Sequence, residues 1–220
     1  MISNGKFYES QFEEATIELL REAHWQYAFG DDIHRKYTDP LIEEDLRNFL
    51  TVQYKDKNLT TSEMDSIVAN LRNTGGQNDY YALRNAFLLY RDGYDFAYSD
   101  SRDNPFRMEY IDFEHPDHNI FRCVNQFVMG QGRENRRPDI LLFINGIPVC
   151  IIELKNPTKQ NATIRDAHTQ ICTRYMRDIP ALLKYCALAV ISDGAKNALG
   201  TTYTPFEFFY EWKKIENEDK

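Results

Sequence analysis

The stretch Arg137-Pro-Asp-Ile-Leu-Leu-Phe-Ile-Asn-Gly-Ile-Pro-Val-Cys-Ile-Ile-Glu-Leu-Lys155 reads as a β-hairpin. Two apolar, β-rich runs, 138–144 and 147–155, flank Asn145-Gly146. Asn-Gly is the strongest short hairpin signal because both residues tolerate positive φ. Three charged side chains stand at the end of the hairpin away from the turn: Asp139 opens the first strand, and Glu153 and Lys155 close the second. Charges in otherwise buried β-structure need partners, because an unpaired buried charge is expensive.

Strand parity decides whether those charges can meet. With a two-residue loop and a regular ladder, Ile144 opposes Ile147, Asp139 opposes Ile152, and Glu153 points to the other face. A three-residue loop, Ile144-Asn145-Gly146 with Gly146 left-handed, puts Asp139, Glu153 and Lys155 on one face and Ile140, Leu142, Cys150, Ile152 and Leu154 on the other. A bulge before Glu153 has the same effect. The three-residue loop is the expectation. Two carboxylates converging on one spot repel unless a cation lies between them. A hard divalent ion such as Mg²⁺ suits oxygen ligands. It polarises a phosphoryl oxygen and activates bound water, while a nearby lysine orients that water or offsets developing charge. A structural Asp–Lys or Glu–Lys ion pair is the competing reading.

Outward from the hairpin, the first half of the chain reads as helical. Residues 10–23 carry Phe12, Thr16, Leu19 and Ala23 at helical spacing, with Ser10 as N-cap and Glu13 as its capping-box partner. A helical module spans about 39–98. One helix runs from Asp39-Pro40 to about Tyr54, a second is capped by Thr61 or Ser62, and a third, from Asp79, stops at Gly93. Residues 99–119 read as loop with a short strand near 107–113. Residues 121–129 alternate as a strand. A helix over 162–177 has Thr163 and Asp166 at capping-box spacing and ends at Ile179-Pro180. Tyr185–Ile191 is a further strand, and 205–216 is a last strand or helix of ambiguous period. The expected fold is α/β with a mixed central sheet, a helical insertion at about 39–98 and a catalytic core at about 121–213.

Composition sets the outer limits. A chain of 220 residues is one generous domain, long enough to bury a core without staples. Aromatic content of 14% argues against wholesale disorder. There is no apolar run of membrane-spanning length and no secretory signal, and the four cysteines form no CxxC pair, so a reducing cytoplasm is expected. The net charge of -8 speaks against nucleic acid until its distribution is considered. Residues 131–184 carry +4 and the remainder -12, so a basic island sits in an acidic chain. Such an island is either the footprint of an anionic ligand or a solvated face.

Pro138-Asp139 followed by Glu153-Leu154-Lys155 resembles the PD-(D/E)xK nuclease signature. Together with Ile179-Pro180, Ser192-Asp193-Gly194 and Leu199-Gly200-Thr201, it resembles the N-terminal nuclease domain of the R (HsdR) subunit of type I restriction enzymes. The resemblance is clear over about 121–213. It implies a restriction-endonuclease-like core and Mg²⁺-dependent cleavage of double-stranded DNA, as in a type I site-specific deoxyribonuclease. Asp139, Glu153 and Lys155 would be catalytic, and Asp139, Glu153 and the Leu154 carbonyl would hold the ion. It also implies modification (M) and specificity (S) subunits as partners and an ATP-driven helicase-like motor in the full-length subunit. No Walker motif occurs in these 220 residues, so ATP is not expected to bind here. Rival readings are a repair or junction-resolving nuclease of the same fold and a non-catalytic DNA-binding or docking module.

The same family carries a Gln-x3-Tyr motif on the helix after the catalytic strand; here Gln170 and Tyr175 are one residue further apart. On a regular helix, positions five apart lie about 140° from each other, and Arg174 would sit beside Gln170 instead. A π-bulge would absorb the extra residue. Gln170, Tyr175 and Lys159 are candidate contacts to the DNA backbone; solvated helix residues are the alternative for Gln170 and Arg174. Glu13 or Glu14 is a weaker candidate for a further carboxylate. His115 and His118 lie close in a loop but fall short of the ligand count of a zinc site. His168 reads as an exposed helix histidine, and Ser192-Asp193-Gly194 as a turn.

Overall fold

Asn145 and Gly146 both adopt positive φ, 50° and 75°, so the hairpin turns in two residues and Ile144 pairs with Ile147. The computed structural model that shows this describes residues 9–100, 103–130, 135–155 and 163–211. In chain order its elements are α1 (Glu9–Glu22), β1 (Gln26–Phe29), α2 (Glu43–Gln53), α3 (Thr61–Asn73), α4 (Asp79–Asp92), β2 (Tyr94–Phe96), β3 (Phe106–Met108), β4 (Phe121–Asn125), β5 (Ile140–Ile144) and β6 (Ile147–Leu154). There follow α5 (Ile164–Thr169), a π-helix (Gln170–Tyr175), α6 (Met176–Asp178), α7 (Pro180–Leu183), β7 (Leu188–Ser192), β8 (Asn197–Gly200) and β9 (Tyr210–Glu211). No helix among the described residues is long and apolar enough to cross a membrane.

The expected three-residue loop is therefore incorrect, and a β-bulge does its work. Phe143 pairs with Pro148 but Leu142 pairs with Cys150, so Val149 is an extra residue on β6. Pro148 has no N–H to give a ladder, and proline inside a sheet is confined to edges and bulges. It sits where β6 has a neighbour on one side only, because β7 begins to pair at Cys150. Past the bulge, Leu141 faces Ile151 and Ile140 faces Ile152. One further step brings Asp139 opposite Glu153.

The sheet is mixed, as expected: seven strands in the order β1-β4-β5-β6-β7-β8-β9, with β1–β4 and β6–β7 parallel and the other pairs antiparallel. Parallel pairing of β6 and β7 requires a crossover, and the helices between Ile164 and Leu183 supply it. They bury Ala167, Ile171, Tyr175 and Leu182 against Leu141, Phe143, Ile151 and Ile191 on one sheet face. The other face carries Ile140, Cys150, Ile152 and Leu154, with Leu142 alongside, and packs against Ile17, Phe12 and Leu20 of α1. Apolar residues on both faces explain why β5 and β6 read as continuous rather than alternating runs.

The α2–α4 helices form a second core that includes Leu46, Phe49, Ile67, Leu71 and Tyr90, and they close over the tip of the hairpin at Ile147. Ile42 donates its N–H to the Gly146 carbonyl at 2.9 Å. Ile42 itself is non-helical, with φ -91° and ψ 84°, and stands as the N-cap, so α2 begins at Glu43 rather than at Asp39-Pro40. Buried Asn145 accepts from the Ile120 N–H at 2.7 Å and donates to the Tyr110 carbonyl at 2.9 Å. A bidentate Arg122–Asp45 pair at 2.6 and 2.7 Å ties β4 to α2.

Other boundaries move for local reasons. Ser10 lies inside α1, not at its cap, and the face of α1 that meets the sheet is Phe12-Ile17-Leu20, leaving Leu19 exposed. Thr60, one residue before the expected caps, forms the capping box of α3 with Glu63. Asn78 caps α4, which stops at Gly93 as expected. Strand β4 ends at Asn125 because Gln126 is left-handed, with φ 56°. Tyr185 stays out of β7 because its hydroxyl is drawn into the helical core, donating to the Leu71 carbonyl at 3.0 Å. Thr163 and Asp166 do form a capping box. The segment 205–211 is a 3₁₀ turn, Phe206–Phe208, followed by the edge strand β9.

Gly146→Ala should be costly for two independent reasons. A Cβ disfavours the left-handed backbone by about 1 kcal/mol or more, and here it would run into the Ile42 carbonyl oxygen. Urea unfolding should show a lowered midpoint for Gly146→Ala and a smaller loss for Gly75→Ala, where a Cβ meets nothing closer than 3.8 Å.

Candidate active site

The site lies at the open end of the β5–β6 hairpin, where the bulge has set Asp139 and Glu153 on one face. Asp139 is half-buried and its Oδ2 accepts the Leu154 N–H at 2.7 Å, which fixes the carboxylate against the neighbouring strand. Glu153 is fully buried. Its Oε1 accepts from Lys155 Nζ at 2.8 Å and from the Gln170 amide. Its Oε2 has no hydrogen-bond partner. Burial, reinforced by the nearby Asp139 charge, pushes the Glu153 carboxyl up to about 8, against the pull of Lys155. Lys155 also donates to the Leu154 carbonyl at 3.2 Å, and its own N–H is held by the Ser192 carbonyl at 2.8 Å.

The crossover helix completes the arrangement. Residues 170–175 form a π-helix, the alternative that keeps Gln170 and Tyr175 together across five positions. Gln170 Nε2 lies 2.7 Å from the Tyr175 hydroxyl, and that hydroxyl donates to the Arg137 carbonyl at 3.4 Å. Tyr175 is buried, and burial together with the Glu153 charge raises its phenol well above the ordinary range. Arg174 is exposed and does not take the place beside Gln170. Lys159 lies outside the described residues.

Several weaker candidates are also placed. Glu13 accepts from Asn125 Nδ2 at 2.7 Å and Gln126 Nε2 at 3.2 Å. Asn125 pairs with Ile140, so this clamp holds Glu13 at the end of the strand next to Asp139. Neither Asn125 nor Gln126 was expected to matter; the only signal was the break of alternation at that polar pair. Glu14 is exposed. His168 is not an exposed helix residue: its Nε2 lies 2.9 Å from the Thr204 carbonyl, and Phe206 and Phe209 meet it edge-on. Ser192-Asp193-Gly194 is a turn, in which Asp193 accepts the N–H groups of Ala195 and Lys196 and Gly194 is left-handed.

Comparison with known proteins agrees with the geometry. The family described as type I restriction enzyme R protein N terminus matches residues 6–208. The chain is 29% identical over 222 residues to the type I restriction enzyme HindI endonuclease subunit of Haemophilus influenzae, covering 96% of this chain and 21% of that protein. It is 30% identical over 215 residues to a provisionally named type I restriction enzyme MjaIXP endonuclease subunit of Methanocaldococcus jannaschii, covering 94% and 20%. To the type I restriction enzyme EcoprrI endonuclease subunit of Escherichia coli it is 30% identical over 133 residues, covering 56% and 40%. The chain thus spans about a fifth of the length of the first two relatives. With the hairpin carboxylates, the lysine and the Gln–Tyr pair assembled on one α/β core, and the family match running through all of them, the chain belongs to the type I restriction enzyme R protein N-terminus family.

Proposed function

We propose that this chain is the nuclease domain of a type I restriction enzyme R subunit and hydrolyses phosphodiester bonds of double-stranded DNA with Mg²⁺. One observation carries the reading: the β6 bulge sets Asp139 opposite Glu153, whose buried Oε2 has no protein donor. A buried carboxylate oxygen with no donor fits a hard cation. Asp139, Glu153 and the Leu154 carbonyl are the residues that would hold Mg²⁺, which when bound polarises the scissile phosphate and acidifies water. Lys155, seated on Glu153 and the Leu154 carbonyl, orients the attacking water and offsets negative charge as it develops. Gln170 holds the Glu153 carboxylate in place, and Tyr175 holds Gln170. Both are turned inward, so the contact with the DNA backbone passes mainly to exposed cations of the same helix, such as Arg174, and to Lys159. Double-stranded DNA, the M and S subunits and a cytoplasmic setting are the partners and place that this reading entails, and ATP belongs to the motor of the longer subunit.

Asp139→Ala and Glu153→Ala should each lower Mg²⁺-dependent cleavage by the assembled enzyme about 10²-fold or more while circular dichroism and assembly are retained. Lys155→Ala should lower turnover more than it weakens binding of Mg²⁺. Cleavage at the wild-type rate by either carboxylate variant sinks the assignment.

The raised Glu153 carboxyl predicts an inverted pH dependence. Its folded value, about 8, exceeds the unfolded value of about 4.5, so the native state binds the extra proton between them. Stability from this group is present in full below about 4.5 and is lost as pH rises through about 8. Thermal melts in chelator should therefore show a fall of up to a few kcal/mol across that window. Mg²⁺ should reverse the fall at the alkaline end, and Glu153→Gln should abolish it.

Arg174→Glu should weaken DNA binding and reduce the slope of log affinity against log salt by about 1 if it meets a phosphate. An unchanged slope and affinity would remove the crossover helix from the DNA interface.

A further inference from the structure

Two histidines converge on one carboxylate far from the proposed nuclease centre. His115 caps the 3₁₀ turn Pro116–His118, and on such a turn residues three apart eclipse. Their imidazoles stack, with ring centroids 4.9 Å apart and planes inclined by 19°. Both present Nδ1 to the same oxygen: His118 Nδ1 is hydrogen-bonded to Asp112 Oδ2 at 3.0 Å, through a proton that an ion would displace, and His115 Nδ1 lies 3.6 Å from it. Asp112 is buried and already positioned. Its Oδ1 accepts the N–H groups of Glu114 at 3.1 Å and His115 at 2.8 Å, and its Oδ2 accepts from Gln53 at 3.1 Å.

We propose that Asp112, His115 and His118 bind a divalent ion of the zinc class. The geometry points there for three reasons. Ligands about 2.0–2.2 Å from a tetrahedral ion lie about 3.3–3.5 Å from one another. The two Nδ1–Oδ2 separations lie on either side of that range, and the three ligand atoms fall within 4.8 Å of one another, so rotation of the exposed imidazoles completes the set around an ion. Two imidazoles and one carboxylate are a borderline donor set, which selects zinc-like ions over Mg²⁺. Hydrogen bonds from Gln53 and two backbone N–H groups orient the carboxylate, as outer-shell partners do at metal centres. The histidine side chains are 61% and 50% exposed, so an ion has access and a fourth position stays open to solvent.

The site would act as a clamp rather than as a catalyst. Asn119 Nδ2 donates to the Asp112 carbonyl at 2.7 Å, and Asn119 Oδ1 accepts from both the Asp112 N–H and Asn145 Nδ2. Closing the 112–118 loop on an ion therefore braces the tip of the β5–β6 hairpin. That tip is about 20 Å from Asp139, six strand residues away, so the two metal sites are separate.

Zn²⁺ titration of the full chain against a chromophoric chelator, in excess Mg²⁺, tests the proposal. One equivalent should bind, and Zn²⁺ should raise the melting temperature. His115→Ala and His118→Ala should each weaken binding at least about tenfold, and the double variant should lose both binding and the thermal shift. Asp139→Ala should leave all of this unchanged, which separates failure here from failure at the nuclease centre. Because both histidines are exposed, the variants should keep the wild-type circular dichroism. No bound equivalent, or binding of equal strength in the double variant, overturns the site.

Discussion

Everything at the proposed active centre depends on one extra residue in a strand. Side chains alternate along β-structure, so a regular two-residue hairpin would send Asp139 and Glu153 to opposite faces. Val149 breaks that alternation by standing unpaired between Pro148 and Cys150. The turn itself remains the tight Asn-Gly type whose twist suits the strands. The bulge carries the correction, where proline had already removed a ladder donor. From that point to Leu154, the side chains of β6 alternate in the phase that sets Glu153 beside Asp139.

A second length adjustment occurs on the helix that covers this face. Gln170 and Tyr175 are five residues apart, yet the π-helix brings their polar ends together. The inserted residue is accommodated without disturbing Ile171 and Tyr175, both of which stay in the core. Two elements of different kinds thus each absorb one residue, and both adjustments serve Glu153. The result is a buried carboxylate held on one oxygen and left without a donor on the other. Burial without a donor on that oxygen disfavours the charged form of the carboxyl and raises its pKa.

The rest of the fold keeps the hairpin rigid from its other end. Asn145 is fully buried and its side chain satisfies the Ile120 N–H, the Tyr110 carbonyl and Asn119. The α2–α4 helices pack over Ile147, and Ile42 bonds to the Gly146 carbonyl. A turn that would ordinarily lie in solvent becomes the junction of the sheet with the helical module.

Much of this was legible in the linear chain. Strands β4 to β7 in outline, the Asn-Gly turn, the Thr163 capping box and the left-handed Gly146 follow from local preferences that a few neighbouring residues express, whereas the short strands β1, β2 and β8 carry no such signal and form only by pairing with partners. The spacing of Asp139 from Glu153 and Lys155 picked out side chains that the structure brings together at the candidate site. Pro148 was the available sign of the bulge, since proline in a strand with partners on both sides has to be excused from the ladder. Local sequence could not choose between a longer loop and a bulge, because both restore the same parity. The choice follows from the Ile42 backbone closing on Gly146 and from β7 leaving Pro148 unpaired on one side. The α1 face, the π-helix and the clamp on Glu13 were likewise settled by contacts between segments distant in sequence. Periodicity proposes which residues can share a face, but burial against a partner element selects among the registers that satisfy it.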